Sequence, residues 1–146
     1  MLKEKLMQDF KDAMRDKDEL KKNTVMMIRA AILQVEKDTQ KELDDNSITE
    51  IIAKELKKRK DSLEEIQKTD RQDMIDQVNS EIAIIKAYLP EELSEEELTS
   101  IINETIAEVG ATSMKDMGKV MQAAKAKTTG RADGKTINEI VKKLLA

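Results

Sequence analysis

Two glycines and two cations near the end of the chain have the residue types of a phosphate-binding loop. The segment reads Gly130-Arg131-Ala132-Asp133-Gly134-Lys135-Thr136. A nucleotide-binding P-loop needs four residues between its glycines and a preceding strand, so that backbone N–H groups can close around a phosphate. Here three residues separate the glycines, and helical patterns lie on both sides. We therefore do not expect a nucleotide P-loop.

Two interpretations of this loop remain open. In the first, the glycines form turns and Asp133 caps the last helix, which requires no ligand. In the second, cations in and before the loop contact the phosphate backbone of an external nucleic acid, since such contacts position a protein without reading sequence. The cations concerned are Lys125, Lys127, Arg131 and Lys135.

Gly118 stands inside a predicted helix, next to Lys119. A glycine in a helix costs about 1 kcal/mol relative to alanine, so its presence calls for a reason. Either another helix approaches closely at this point, or the missing side chain leaves a flat surface for an external backbone.

The acids that follow Pro90 do not have the setting of a catalytic pair. Two carboxylates perform acid–base catalysis when burial separates their pKa values. The run from Glu91 to Glu97 instead lies at a predicted helix N-terminus, where acids are solvated and interact favourably with the helix dipole. The chain also lacks cysteine and histidine, which removes thiol nucleophiles, imidazole bases and the usual zinc ligands. We expect no catalytic residue, no metal site and no cofactor.

Charge is divided sharply in the C-terminal part of the chain. Residues 91–108 contain seven acids and no base, whereas residues 109–146 contain eight bases and three acids. A unit with an acidic edge and a basic end is suited to electrostatic steering towards a partner. The net charge of −4 argues against indiscriminate coating of nucleic acid but allows a local basic patch.

The elements that position these residues are predicted to be helices. Leu, Ile, Met, Ala, Glu and Lys dominate the composition, and Pro, Gly and aromatic residues are scarce, which favours an all-α fold over a sheet. Apolar spacing predicts seven helices, in a long N-terminal helical domain over residues 1–90 and a compact three-helix domain over residues 91–146. We find no secretory pattern and no apolar run near about 18 residues, so we expect no membrane contact and a cytoplasmic location.

Short patterns predict where several helices begin and end. Three pairs have the spacing of an N-terminal capping box: Ser47 with Glu50, Ser94 with Glu97, and Ser113 with Asp116. Gly110 is placed to end the fifth helix, and Pro90 to end the fourth. Residues 125–134 read as a loop before the last helix.

Arg59 occupies a position on the third predicted helix where the apolar stripe between Leu56 and Leu63 should continue. An arginine in such a position more often pairs with a buried carboxylate than binds a ligand. The candidate partners are Glu81 and Glu36.

Several segments together resemble the GatB/YqeY family. In the C-terminal half they are Tyr88-Leu89-Pro90-Glu91-Glu92-Leu93, Asp116-Met117-Gly118-Lys119-Val120-Met121 and the loop from Gly130 to Gly134. Nearer the N-terminus they are Met27-Ile28-Arg29-Ala30-Ala31-Ile32, Lys57-Lys58-Arg59-Lys60-Asp61-Ser62 and Arg71-Gln72-Asp73. The resemblance covers nearly the whole chain and looks like the stand-alone YqeY branch of the family.

The resemblance implies an all-helical fold related to the tail of the aminoacyl-tRNA amidotransferase B subunit, which engages the tRNA body. That enzyme converts Glu-tRNA(Gln) or Asp-tRNA(Asn) to the amide form, so a carbon–nitrogen ligase label with glutamine as amide donor follows by homology. The residues of this chain do not by themselves support that catalysis. Carried over by residue, the resemblance places RNA contacts at Gly118, Lys119, Lys125, Lys127, Gly130, Arg131 and Lys135.

Two functional hypotheses remain open. The first is a non-catalytic tRNA-binding module that contacts the backbone and shape of a folded RNA, which suits a chain with few aromatic residues for base stacking. The second is a helical adaptor for another protein, using the acidic edge at 91–108 and the methionines of the sixth helix. DNA is not an expected partner in either case.

Overall fold

The computed structural model describes residues 1–146 and contains helices without any strand. The α-helices are α1 (Leu2–Arg15), α2 (Glu19–Thr39), α3 (Asp45–Ile66), α4 (Gln72–Lys86), α5 (Glu95–Val109), α6 (Met117–Lys127) and α7 (Gly134–Leu145). A single 3₁₀ turn, Met114–Asp116, leads directly into α6. The prediction of an all-α fold with seven helices is confirmed. None of these helices is long and apolar enough to cross a lipid bilayer.

The chain divides into two units, an N-terminal unit (Met1–Leu89) and a C-terminal unit (Pro90–Ala146). In the N-terminal unit, α1 packs against α2 and α3 against α4, while α2 contacts both members of the second pair. The aliphatic side chains that point inward make one core, in which Leu6, Val25, Ile28, Ile52 and Ile85 are completely buried. The apolar spacing along each helix produces this core, because residues three or four apart share one face.

Arg59 and Glu81 join α3 to α4 at the edge of this core. The Nε atom of Arg59 lies 2.8 Å from a carboxylate oxygen of Glu81, and both side chains are mostly buried. The Nε–H is not aligned for a directed hydrogen bond, so the contact is chiefly an attraction between charges. Glu81 also accepts a hydrogen bond from the Gln77 amide at 3.2 Å. The prediction that Arg59 pairs with a buried carboxylate is confirmed, and Glu81 is the partner.

In the C-terminal unit each of α5, α6 and α7 contacts the other two. Their shared core consists of Leu98, Ile102, Val120, Ala124, Ile137, Ile140 and Val141. Three helices of this length bury few side chains, and a unit of this size depends on each of them. The residues that begin and end each helix therefore matter for the stability of this unit. The Ser94 hydroxyl accepts the N–H of Glu97 at 3.1 Å and caps α5, and Gly110 ends α5 with a φ of +68°, which favours glycine.

Three predicted boundaries are wrong. The third helix begins at Asp45, and its cap is Asp44, whose carboxylate accepts the N–H of Ser47 at 2.9 Å. An acid three residues before the predicted cap starts the helix earlier and satisfies a free N–H group of that earlier first turn. Helix α4 ends at Lys86, well before Pro90, because its last turn tightens into shorter-range backbone hydrogen bonds. Helix α6 continues to Lys127, which shortens the predicted loop at its start.

Candidate nucleic-acid interface

The surface of α6 is the centre of the candidate interface. Val120 and Ala124 are completely buried, which fixes the orientation of the helix against the core. Since successive residues turn by about 100°, the opposite face carries Gly118, Lys119 and Lys125, and all three are exposed. The two lysines are six residues apart, which corresponds to about 9 Å along the helix axis.

Gly118 leaves a shallow gap on this exposed face. A Cβ atom built on it would meet no heavy atom within 4 Å. The prediction that Gly118 allows another helix to approach closely is therefore wrong, because nothing packs against it. The remaining interpretation is a helix surface on which an external group can lie close to the backbone.

Lys125 lies beside the beginning of α7. A Cβ atom on Gly134 would stand 3.4 Å from Cε and 3.7 Å from Nζ of Lys125. These are ordinary contact distances, so the Lys125 side chain lies against the start of α7, where the exposed Lys135 follows. The side chain of Asp133 caps α7 by accepting the N–H of Thr136 at 2.9 Å, so the prediction of that cap is confirmed.

Lys127 points away from this surface. Its Nζ atom lies 2.6 Å from a carboxylate oxygen of Glu108 on α5. The pair bridges two helices of the C-terminal unit at the protein surface, so Lys127 already has an acidic partner on α5. We therefore assign Lys127 a structural contact.

Gly130 and Arg131 are occupied in holding the loop between α6 and α7. The Nε–H of Arg131 donates to the carbonyl oxygen of Glu91 at 3.0 Å. The N–H of Leu93 donates in turn to the carbonyl oxygen of Arg131 at 2.9 Å. Gly130 has a φ of +76°, a conformation that glycine adopts without strain. These contacts tie the segment before α5 to the loop.

The adaptor hypothesis depends on the acidic edge at 91–108 and on exposed methionines of the sixth helix. Met117 and Met121 pack against the core of the C-terminal unit, so they do not form an exposed stripe, and Met114 alone stands out at the surface. The glutamates at the beginning of α5 are exposed and favour the helix dipole there. The structure thus does not favour the adaptor hypothesis.

Comparison with known proteins identifies the family. A model of the family described as Yqey-like protein matches residues 3–145. The chain belongs to the Yqey-like family. This confirms the family resemblance. The matched residues include α6 and the start of α7, where the candidate interface lies.

Curated relatives of this Yqey-like chain are fungal proteins named altered inheritance of mitochondria protein 41, mitochondrial. The protein of Lachancea thermotolerans is 41% identical over 85 residues, covering 58% of this chain and 46% of its own length. That of Kluyveromyces lactis is 37% identical over 84 residues, covering 57% and 45%. That of Pyrenophora tritici-repentis is 26% identical over 143 residues, covering 94% and 79%. The chain thus spans about half the length of the first two relatives.

The names of these relatives correct one expectation. A cytoplasmic location is contradicted, because the relatives are named as mitochondrial proteins. The expectation depended on finding no targeting pattern in this Yqey-like chain, and the lack of a recognisable signal does not identify a compartment.

Proposed function

We propose that this Yqey-like protein binds tRNA, without catalysing a reaction on it, through the exposed face of α6 and the start of α7. The observation that supports this most is that Lys119 and Lys125 share the exposed surface of α6 with Gly118, where the helix backbone is open to solvent. Ammonium groups contact phosphates, and a helix surface without a Cβ atom lets a sugar–phosphate backbone come close. Lys135 extends the same surface at the start of α7.

The type of RNA contact follows from the residues that the C-terminal unit lacks. The two aromatic residues of the chain, Phe10 and Tyr88, both lie in the N-terminal unit. Stacking of unpaired bases on aromatic rings is the usual basis for binding single strands. Lysines on a helix instead suit the backbone and shape of a folded RNA. The resemblance to the tail of the amidotransferase B subunit supports tRNA as that folded RNA.

We propose that four of the predicted residues make the principal contacts: Gly118, Lys119, Lys125 and Lys135. Lys127 is paired with Glu108, and Arg131 holds the loop. Replacing Arg131 by glutamate would therefore test the loop as much as the RNA contact. Lys119 and Lys125 are the better pair for charge reversal, because both are exposed and neither ammonium group makes a hydrogen bond or ion pair within the chain.

Reversing both lysines, in Lys119→Glu/Lys125→Glu, is expected to weaken tRNA binding at least about tenfold near 150 mM salt. The slope of log affinity against log salt should fall by about 1 for each phosphate that the protein no longer neutralises. Fluorescence anisotropy with bulk tRNA, and with a double-stranded RNA for comparison, measures both quantities. The matched control is Lys142→Glu/Lys143→Glu, which changes charge equally in the last turn of α7.

Circular dichroism melting curves should show both double variants folded, since all four lysines are exposed; the control should melt slightly lower, because two acids in the last turn of α7 oppose the helix dipole. If the control variant loses as much tRNA affinity, the loss is caused by the overall change of charge and not by Lys119 and Lys125. Unchanged affinity of the first variant, or wild-type binding without preference for tRNA over the duplex, would contradict the proposal.

Substituting Gly118 by alanine separates its structural effect from its contact with RNA. The substitution should stabilise α6 by up to about 1 kcal/mol, because alanine is the better helix former and the added methyl group meets open space. If a nucleic-acid backbone lies against Gly118, tRNA affinity should fall several-fold in the same variant. Urea unfolding and anisotropy measure the two effects. A gain in stability with unaltered affinity would remove Gly118 from the interface.

A further inference from the structure

A groove in the N-terminal unit carries an exposed apolar stripe. Helices α1 and α2 pair antiparallel, as the Lys3–Glu36 ion pair at one end shows. The groove between them has a volume of about 240 Å³, and its floor is formed by Leu6 and Ile32. Met7 and Leu33 line its rim and are 39% and 62% exposed. These are large exposed fractions for apolar side chains in so small a unit.

The stripe continues beyond the groove. Met14 and Met26 are 50% and 48% exposed, and each lies seven residues from Met7 or Leu33 on the same helix. Seven residues are two turns, so both pairs remain on one face and extend it by about 10 Å. The other exposed large apolar residues of α4, the 3₁₀ turn and α7 occur singly, at Met74, Met114 and Leu144.

Arg29 stands in the middle of this stripe. On α2 it lies between Met26 and Leu33, and it lines the groove. Its guanidinium is 5.3 Å from the centre of the Phe10 ring, and no carboxylate of the chain pairs with it. A guanidinium held over a ring keeps N–H donors at its own edge, in the guanidinium plane, that can bind a carboxylate in bidentate fashion.

The acid that lines the groove is already bound. The Lys3 ammonium and the N–H of Leu43 both donate to Glu36, and they hold the pKa of this carboxyl below its usual value. Glu36 therefore does not neutralise Arg29. The groove offers an apolar floor, flexible methionines that adapt to different side chains, and one cation without an acidic partner.

We propose that this groove binds an amphipathic helical segment of a partner protein, with apolar residues seven positions apart and a carboxylate between them that pairs with Arg29. A second copy of the chain fits less well. In a twofold contact the same patch meets itself, so two Arg29 side chains would approach each other near the axis with no free acid to separate them. A partner helix with its own acid satisfies the guanidinium and covers the methionines together.

Selection from a displayed library of helical peptides tests the proposal. Fourteen-residue amphipathic peptides with randomised faces are selected on the full chain and counter-selected on the Leu33→Asp variant. Enriched peptides should carry Asp or Glu between two large apolar residues seven positions apart. The absence of any peptide that depends on Leu33, or enrichment of basic peptides, would overturn the proposal.

The affinity of a selected peptide is then compared with that of its Glu→Gln (or Asp→Asn) form. The comparison shows whether the peptide carboxylate pairs with Arg29. The acidic form should bind wild type about tenfold more tightly than the amide form, as expected for an ion pair out of water. In Arg29→Gln this difference should vanish, whereas Arg29→Lys should keep part of it. The control Met74→Asp, which alters an exposed methionine of α4, should bind like wild type.

Two further outcomes would refute this assignment. If the preference for the acidic peptide persists in Arg29→Gln, the partner acid lies elsewhere. If analytical ultracentrifugation shows a dimer of the wild type that Leu33→Asp dissociates, a second copy covers the stripe. Unaltered melting curves of Leu33→Asp and Arg29→Gln show that both variants remain folded for these measurements.

Discussion

Replacing Ile102 by alanine is expected to lower the free energy of unfolding of the C-terminal unit by about 2–5 kcal/mol. Ile102 is completely buried on α5, within the core that α6 and α7 complete with Val120 and Val141. The substitution removes apolar side-chain atoms and leaves a cavity that short helices cannot fill without disturbing the rest of the core. A core of this size supplies little more than about 3–5 kcal/mol in total. A large fraction of molecules should therefore have this unit unfolded.

Hydrogen exchange followed by mass spectrometry measures the effect unit by unit. Peptides from α5, α6 and α7 should lose protection in Ile102→Ala, while peptides from α1 to α4 keep it. The conservative variant Ile102→Val should cost only about 0.5–1.5 kcal/mol. Equal loss of protection throughout the chain would show that the units unfold together, and full protection in α5 would contradict the importance of this side chain.

The same variant connects stability to the two proposed surfaces. The tRNA surface is built on α6 and α7, so its affinity should fall with the folded fraction of the C-terminal unit. The α1–α2 groove belongs to the other unit, and a peptide selected on it should bind Ile102→Ala as it binds wild type. Whether residues 1–90 and 91–146 are independent domains stays a prediction, and this pair of measurements examines it.

Local rules of helix chemistry made much of the fold predictable. The capping spacing at Ser94, the glycine at Gly110 and the acid at Asp133 each act through backbone groups within a few residues, and each is found as predicted. The pairing of Arg59 with Glu81 was also predictable, because a cation within an apolar stripe requires an acid from a neighbouring helix. The choice between Asp44 and Ser47 was not, since both residue types cap helices and the two positions are only three residues apart.

What the sequence could not provide is the direction in which each surface side chain points. Lys127 and Arg131 have the same charge as Lys119, but Glu108 and the Glu91 carbonyl engage them. These partners are 19 and 40 residues away in the chain, and only the packing of α5 brings them close. The stripe at Met7 and Leu33 was missed for a similar reason. Its signal, exposed apolar residues seven apart on two adjacent helices, looks like core until Leu6 and Ile32 are known to fill that core.

The ionisation of Tyr88 provides the second large effect, and it reports on the N-terminal unit alone. The ring is buried, its hydroxyl donates to a carboxylate oxygen of Asp9 on α1, and Lys5 lies over the ring at 5.4 Å. Burial, and then the hydrogen bond and the negative charge of Asp9, raise the pKa of the Tyr88 phenol far above its usual value. The hydrogen bond fastens the end of the unit to its first helix.

The pKa shift makes stability depend on pH in a defined direction. The folded protein holds the phenol proton to higher pH than the unfolded chain, whose tyrosine titrates near about 10. The stabilisation is therefore complete below about pH 10 and is lost as the pH rises above it. Replacing Tyr88 by phenylalanine removes a hydrogen bond to a charged group and should cost about 1.5–3 kcal/mol at neutral pH. It should also abolish this alkaline loss.

Absorbance near 295 nm follows this ionisation directly, because Tyr88 is the sole tyrosine and the chain has no tryptophan. In the native protein the phenolate should appear well above pH 10, and in urea near about 10. The variant Asp9→Asn keeps the burial and removes the charge, so its midpoint should fall only part of the way. A native midpoint near 10 would mean that the phenol is solvated and that Asp9 does not hold it. A midpoint unaltered by Asp9→Asn would leave burial as the sole cause.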